Sequence, residues 1–480
     1  MTPMQHQSDV VEEVKRRNLL RVLLNWGLGL GKTLAGMLIA ENWGDDVKII
    51  VCPKSLVGMW TSFLQEETPL PVTDLTSEKM KNGPGDNPKG WYVINYDLLQ
   101  RRPWIKEFAS GATIILDESS YIKHLQANRT RIVLGMSKQA SHIAMLSGTP
   151  CGGKWEDMWT HAYLLGRYMP VKDYKDAFLN MYTLPLKDKN GKPMDIEVLN
   201  KRNPYKMDNI RNILIPDLEE KGMFTLKTSD CLTLPEVTDS TITVGMPREY
   251  LKFVKEKKVE VSGALFEGDS IMSMRQGLRR LASSCNAEKL EAVEDLLNST
   301  DERVVIFYQY KKDFEKLGEI CRKLKKPVVA VNGDRNDLKK ENNAYETKDN
   351  SVCLIQWQSG GYGLNLQKAH VGVFFSLTES YELYEQARGR IHRNGQQQPV
   401  IYYNIVAKGT IDEKIAKALA RREDYDDKKF VADFPQFSDL PSGEPEKVQR
   451  TASASLGKAI SRKMNEIQRP AMQPTLFDII

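Results

Sequence analysis

The sequence predicts an α/β protein of two mostly parallel sheets, with a helical and irregular insertion between them and a flexible basic tail at the C-terminus. Three observations carry that prediction. Two separate sets of short apolar runs alternate with helical patterns, the arrangement that lays parallel strands side by side with helices on their faces. A glycine loop, Gly29-Leu30-Gly31-Lys32-Thr33, joins the first apolar run to a helical one. A cluster of arginines, Arg388, Arg390 and Arg393, lies within the second set.

Composition sets the outer limits. A chain of 480 residues has room for two or three domains at ~150 residues each. Its 41% hydrophobic and 27% charged residues are those of a soluble globular protein. No apolar run approaches the ~18 residues of a membrane span, and Met1 to Gln7 lack the charged and apolar regions of a signal peptide, so a cytoplasmic protein is expected. Cys52, Cys151, Cys231, Cys285, Cys321 and Cys353 are scattered, without the close pairs of a zinc site or a disulfide framework; they read as small buried apolar residues in a reducing cytosol. The net charge of +5 permits a polyanionic partner without demanding one.

The expected units are a first lobe over residues 1–160, an insertion and connection over 161–240, a second lobe over 241–422 and a tail over 423–480. In the first lobe, Leu19 to Leu24 forms a buried strand, and Leu34 to Ala40 opens a helix. The loop between them points backbone N–H groups and the positive end of a helix dipole at one spot, where an anionic phosphate is held. Gly29 and Gly31 shape the turn, Lys32 adds a charge on the β- and γ-phosphates, and Thr33 offers a hydroxyl to magnesium. Trp26 stands where the full pattern has a small residue, and a plain glycine turn is the alternative. Gln7, just ahead of the strand, has an amide that fits an adenine edge or is simply solvated.

Val47 to Val51 ends in Cys52-Pro53-Lys54-Ser55, and Tyr92 to Ile94 ends in Asn95. The carboxyl ends of parallel strands are where open α/β sheets bind ligands. Ala112 to Leu116 delivers Asp117 and Glu118 into a turn, which is costly unless a cation receives them. Beside a phosphate loop, Asp117 holds magnesium through water and Glu118 polarises the attacking water; a surface turn is the alternative. Ile143 to Leu146 leads to Ser147-Gly148-Thr149-Pro150, whose hydroxyls are placed to link the phosphate site to another ligand.

In this order the motifs resemble those of the helicase-like motors of superfamily 2, and among them the Swi/Snf-type DNA translocases. Gly27 to Thr33 is similar to their phosphate loop, with Trp26 and Gly27 where an acidic pair is usual. Asp117-Glu118-Ser119-Ser120-Tyr121-Ile122-Lys123-His124 is similar to their second nucleotide motif, with Ser119 and Ser120 in place of Ala-His. Thr225 to Glu236 resembles the stretch by which these motors enter their second lobe, with Leu226 and Lys227 in place of two arginines; a plain connecting insertion is the alternative.

The second set of strands runs Val304 to Tyr308, Pro327 to Val331, Val352 to Trp357, Val371 to Phe375 and Val400 to Val406, separated by helical patterns such as Lys311 to Leu324. Two sheets of one kind suggest a pair of lobes with a cleft between. The turn Gly360 to Leu366, including Gly363, says little alone. Gln386, Gly389, Arg390 and Arg393 satisfy the final superfamily 2 motif, Gln-x-x-Gly-Arg-x-x-Arg, and Asn394-Gly395-Gln396 resembles the Swi/Snf continuation. The resemblance implies that Arg390 and Arg393 are arginine fingers reaching the γ-phosphate, worth ~10³–10⁵ in rate in related phosphoryl transfers. Ser147, Thr149, Gly363 and Gln386 would then couple the nucleotide to movement.

In the tail, Asp424, Asp426 and Asp427 mix with Phe430, Phe434 and Phe437, and Pro441 to Pro445 reads as a linker. Basic residues then outnumber acidic ones, marking a solvated arm or a nucleic-acid contact. Gln473-Pro474-Thr475-Leu476-Phe477 resembles the sliding-clamp-binding peptide of bacterial replication proteins, with Gln473, Leu476 and Phe477 as the docking residues; Phe477 folding back on the second lobe is the alternative. The resemblance as a whole implies two RecA-like lobes with ATP and magnesium in the cleft, in a monomeric, DNA-stimulated ATPase that translocates on duplex or forked DNA. Such a motor grips phosphates rather than base edges, and Lys54, Ser55, Asn95 and Gln309 are the strand-end candidates. Two rivals stand beside it: a strand-separating DNA or RNA helicase, and a clamp-tethered DNA-binding factor with a vestigial ATPase. The small insertions and clamp-like peptide suggest a phage or prophage protein of replication, recombination or repair.

Overall fold

β-Branched and apolar residues fill the strands of two large sheets, as burial on both faces of a parallel sheet requires. The computed structural model describes residues 2–85, 89–151, 154–187, 193–200, 203–261, 263–360 and 364–441. The first sheet takes β1 (Arg21–Trp26), β2 (Val47–Cys52), β3 (Val72–Asp74), β4 (Gly90–Asn95), β5 (Thr113–Asp117) and β6 (His142–Ser147). A self-paired hairpin, β7 (Met181–Lys187) and β8 (Pro193–Leu199), follows, and β9 (Met223–Leu226) then returns to the sheet. Its order is β3-β4-β2-β5-β6-β1-β9, parallel throughout.

The register of this sheet decides where chemistry gathers. Asn25 faces Ser147 and Asp117 faces Leu146. The glycine loop after β1, the acidic turn after β5 and the Ser-Gly-Thr-Pro turn after β6 therefore leave the same edge as neighbours. Helix α1 (Gln5–Arg16) and helix α2 (Lys32–Trp43) cover one face, and α2 buries Leu34, Ala35, Met37, Ile39 and Ala40. Helix α3 (Val57–Glu67) sends Trp60 into the same core.

The second sheet is built from β10 (Val237–Val244), β13 (Val304–Tyr308), β14 (Val328–Val331), β15 (Val352–Gln356), β16 (Val371–Phe374) and β17 (Val400–Ala407), after a small hairpin of β11 (Lys258–Val261) and β12 (Ala264–Glu267). Its order is β10-β17-β16-β13-β15-β14, again parallel. The five expected strands are all present. The two-sheet α/β architecture agrees with the sequence reading. Among the described residues no helix is long and apolar enough to cross a membrane.

The boundaries shift in three places. β9 falls inside the expected insertion at 161–240 yet forms an edge of the first sheet, because pairing to β1 gives a four-residue run, three of its residues apolar, a place that its own pattern does not announce. β10 starts at Val237, ahead of the expected 241, and pairs with β17 along its whole length. Residues 423–441, expected in the flexible tail, pack on the second lobe: Tyr425, Phe430 and Phe437 are buried in its core, and helix Asp427–Asp433 carries Phe430 inward. The spacing of Phe430, Phe434 and Phe437 gives that segment one apolar face, with their rings 5.1–6.2 Å apart. Deleting such a buried ring costs about 3–5 kcal/mol. Phe430→Ala should lower stability by that amount in urea unfolding, and an unchanged midpoint would show that the segment is not part of the core.

Candidate functional site

The glycine loop has the backbone its residues permit. Gly29 and Gly31 sit at φ of 80° and 68°, and Gly31 caps α2 in the left-handed region, conformations that cost glycine little. The Lys32 ammonium donates to the carbonyls of Trp26 at 3.0 Å and Gly27 at 3.2 Å. Burial holds its pKa below the ordinary lysine range. Trp26 thereby fits the loop: its indole lies in the core, edge-on to His6 at 5.2 Å, and only its carbonyl faces the lysine. Thr33 follows, half-buried in the first turn of α2.

Gln7 differs from the expectation. It is 1% exposed, and its amide nitrogen donates to Leu30 O at 3.1 Å and Gly31 O at 3.0 Å while its oxygen accepts from Met4 N at 2.8 Å. With both amide hydrogens spent on the loop and the side chain buried, Gln7 braces the loop from behind and has no donor left for an adenine edge. A β-carbon at Gly31 would collide with it.

The acidic turn lies next to the loop. Buried Asp117 accepts from the Trp60 indole at 2.7 Å and from Glu118 N at 3.0 Å, and burial raises its pKa. Glu118 has φ 47° and ψ 56°, a left-handed conformation that a non-glycine residue holds only where its surroundings impose it. Burial first, then the neighbouring Asp117 charge, pushes its pKa up to about 7. Ser147 Oγ accepts from Thr149 N at 3.1 Å. A β-carbon at Gly148 would lie 3.2 Å from Trp26 O and 3.7 Å from the Lys32 ammonium, so this turn closes over the lysine.

The second lobe reaches the same place through helix Tyr381–Ile391, capped by Ser380. A β-carbon at Gly389 would collide with Leu28, and one at Gly29 would lie 3.6 Å from Arg393 Cβ. The Arg390 charge acts on Lys32, Asp117 and Glu118. Arg393 is desolvated, which lowers its pKa, and it donates a long hydrogen bond of 3.4 Å to Leu364 O. Arg388 points elsewhere, pairing with Asp239 at 3.0 Å and lying over the Tyr402 ring. Gln386 is buried and donates to Glu382 at 3.3 Å. Between the lobes lies a cleft of about 900 Å³, lined among others by Gly27, Glu118, Thr149, Gln386 and Gly389.

The remaining expectations scatter. Lys54 and Ser55 are exposed at the carboxyl end of β2, as a polyanion contact requires. Asn95 is 3% exposed and pairs in register with Cys52 inside the sheet, so it has no surface to offer DNA. Gln309 is half-buried, its N–H bonded to Ser376 Oγ at 2.6 Å and its carbonyl accepting from Gln356 at 3.3 Å. Gly363 and the peptide residues Gln473, Leu476 and Phe477 lie outside the described residues. Sequence reasoning missed Trp60, which no local pattern marks, and Thr228, whose hydroxyl donates to Leu28 O at 2.8 Å. It also missed Glu382, which the spacing Glu382, Gln386, Arg390 along one helix face would have flagged.

A nucleoside triphosphate with magnesium fits these residues. A helix N-terminus with open N–H groups, one desolvated lysine and two desolvated acids make an unbalanced set that phosphate and a cation complete. Among the described residues no cluster of three or more His, Cys, Asp or Glu side chains is set to hold a metal. Thr33 and Asp117 are the residues that could hold magnesium, with phosphate oxygens and water as its other ligands, the habit of that ion.

Comparison with known proteins finds several likenesses. Residues 288–395 match the family model of the helicase conserved C-terminal domain. The chain is 22% identical over 400 residues to the SWI/SNF-related matrix-associated actin-dependent regulator of chromatin subfamily A-like protein 1 of Xenopus tropicalis, covering 82% of this chain and 41% of that protein. It is 24% identical over 422 residues to the homolog of that protein in Caenorhabditis elegans, covering 84% and 58%. It is 25% identical over 451 residues to the uncharacterized ATP-dependent helicase YqhH of Bacillus subtilis, covering 87% and 78%. The chain thus spans about two-fifths of the length of the Xenopus relatives. The Sulfolobus solfataricus SWI2/SNF2 ATPase core in complex with dsDNA aligns over 88% of this chain and 91% of its own, with a TM-score of 0.42 and 19% identity.

The raised pKa of Glu118 has a consequence for stability. Its folded-state value of about 7 lies above the ordinary 4.5, so its contribution to stability is complete below pH 4.5 and is lost as pH rises through 7. Glu118→Gln, neutral at every pH, should stabilise the nucleotide-free protein at pH 8 by on the order of 1–3 kcal/mol, with the gain fading toward pH 5. Thermal unfolding across that range checks it; a gain independent of pH would mean the carboxyl titrates normally.

Proposed function

We propose that this chain is a superfamily 2 helicase-like protein of the Swi/Snf type, a DNA-dependent ATPase that converts hydrolysis into movement along duplex or forked DNA. One observation carries the reading. Gly389 meets Leu28 with no room for a side chain, bringing the Arg390 charge from one lobe to Lys32, Asp117 and Glu118 of the other.

In this reading Lys32 and the first turn of α2 hold the phosphates of ATP, and Thr33 and Asp117 hold magnesium. Magnesium, when bound, neutralises charge on the phosphate oxygens. Glu118 orients the attacking water and takes its proton, a role for which a pKa near neutrality suits it. Arg390 and Arg393 meet the charge that develops in the transition state, in a desolvated cleft where such contacts count most. Ser147, Thr149, Gln386 and Gly363 relay the event between nucleotide and DNA. DNA lies across both lobes, with Lys54 and Ser55 among its phosphate contacts, and the protein works as a cytoplasmic monomer in replication, recombination or repair.

Phosphate release should rise when duplex or forked DNA is added, more than with RNA or single strands. Lys32→Ala and Glu118→Gln should each abolish the rise, and Arg390→Ala should cut it by ~10³-fold to a residual, measurable rate. A wild type no faster than these variants would leave only a DNA-binding factor with a vestigial site.

Attachment to a bacterial sliding clamp through Gln473, Leu476 and Phe477 is a separate part of the proposal, supported by the peptide's pattern alone. The full chain should bind such a clamp in surface plasmon resonance, and the double variant Leu476→Ala, Phe477→Ala should lose the signal. Equal binding by both would remove the peptide from the account.

A further inference from the structure

Ser120 and Glu382 are far apart in the chain and meet across the cleft. The Ser120 hydroxyl, in the turn Ser119–Ile122 that follows Glu118, donates to Glu382 Oε1 at 2.6 Å. Lys123 of the same lobe stands 3.8 Å from Glu382 Oε2. The Glu382 side chain is only 14% exposed, and Gln386 on its own helix donates to it at 3.3 Å. A short hydrogen bond to a desolvated carboxylate is among the strong ones.

The place of Glu382 on its helix gives this contact a second meaning. Glu382, Gln386 and Arg390 are spaced four apart on one face of helix Tyr381–Ile391, spanning about 12 Å of axis. The amino end of the helix is thus fastened to the first lobe beside Glu118. The carboxyl end carries Arg390 to Lys32, Asp117 and Glu118. A second tie lies at the same end, where Asp424 accepts from Tyr381 N at 2.9 Å and stands 4.0 Å from Lys154 of the first lobe.

We infer that Glu382, held by Ser120 and Lys123, is a positioning residue that sets where Arg390 stands. The inference rests on the ATPase reading above and deepens it. A helix of this length moves as a rod, so releasing one end shifts the other, and misplacement of a reacting group by about 1 Å costs ~10²-fold in rate. Neither Ser120 nor Glu382 needs to touch nucleotide for this. The serine that stands in place of the usual histidine keeps a link across the cleft through a partner on the finger helix.

The test compares Glu382→Ala, Glu382→Gln and Ser120→Ala, each alone and combined with Arg390→Ala, by DNA-stimulated ATP turnover. Glu382→Ala should lower kcat by ~10–100-fold with KM for ATP little changed. Ser120→Ala, which removes one hydroxyl and leaves the fold intact, should show a smaller loss of the same kind. Glu382→Gln, which keeps an acceptor for Ser120, should recover part of the rate. In the Arg390→Ala background Glu382→Ala should add no further loss, because the group it positions is gone. Losses that multiply with that of Arg390→Ala, or a Glu382→Ala enzyme as fast as wild type, would overturn the inference while leaving the ATPase reading intact. A wild type without DNA-stimulated turnover would sink that reading, and the inference with it.

Discussion

The structure depends on how closely the two lobes can approach each other. Helix Tyr381–Ile391 presents Gly389 where any side chain would strike Leu28, and Gly29 lies beside the stem of Arg393. Gly389 is a matter of volume, since a methyl there would press into Leu28, whereas Gly29 is a matter of backbone conformation, its φ being 80°. Because the approach is so close, Arg390 on the second lobe sits in the field of a lysine and two acids on the first. The cleft can act as one electrostatic unit only at this separation, since interactions between charges fall off with distance and with solvent between them.

That unit is unbalanced in a useful way. Burial lowers the pKa of Lys32 and raises those of Asp117 and Glu118. Each group is held nearer to neutrality than it would be in water, and each gains when an opposite charge arrives. The left-handed backbone at Glu118 belongs to the same pattern: local strain persists where surrounding contacts over-determine it, here the Trp60 and Tyr96 bonds to Asp117. Burying these groups costs stability, which an opposite charge placed among them would return.

Much of this was legible in the sequence, and the rest was hidden for identifiable reasons. The two parallel sheets, the glycine loop and the arginine motif announce themselves because strand-end turns in α/β folds carry local signatures, as Gly31-Lys32-Thr33 and Asp117-Glu118 do. β9 was not legible, since a four-residue edge strand takes its register from β1 rather than from its own alternation. Gln7 and Asn95 were misread because residue type does not say whether a polar group faces solvent. Gln7 spends its amide on Leu30 and Gly31, and Asn95 is packed within the sheet. The aromatic residues after Arg422 looked like a tail because a short apolar face carries no sign of the surface it will cover. Trp60 and Thr228 show a further limit: their roles come from tertiary contacts that no spacing encodes.

The bond from Thr228 to Leu28, with Gly27 pressed against the same threonine, ties the strap between the lobes, residues 227–236, directly to the glycine loop at the end of β1. β9 strengthens the tie by pairing with β1 just before the strap begins. Any displacement of the glycine loop is therefore felt in the strap at once, by a route that never crosses the solvent gap. The two halves of the molecule are geared together from behind as well as from the front.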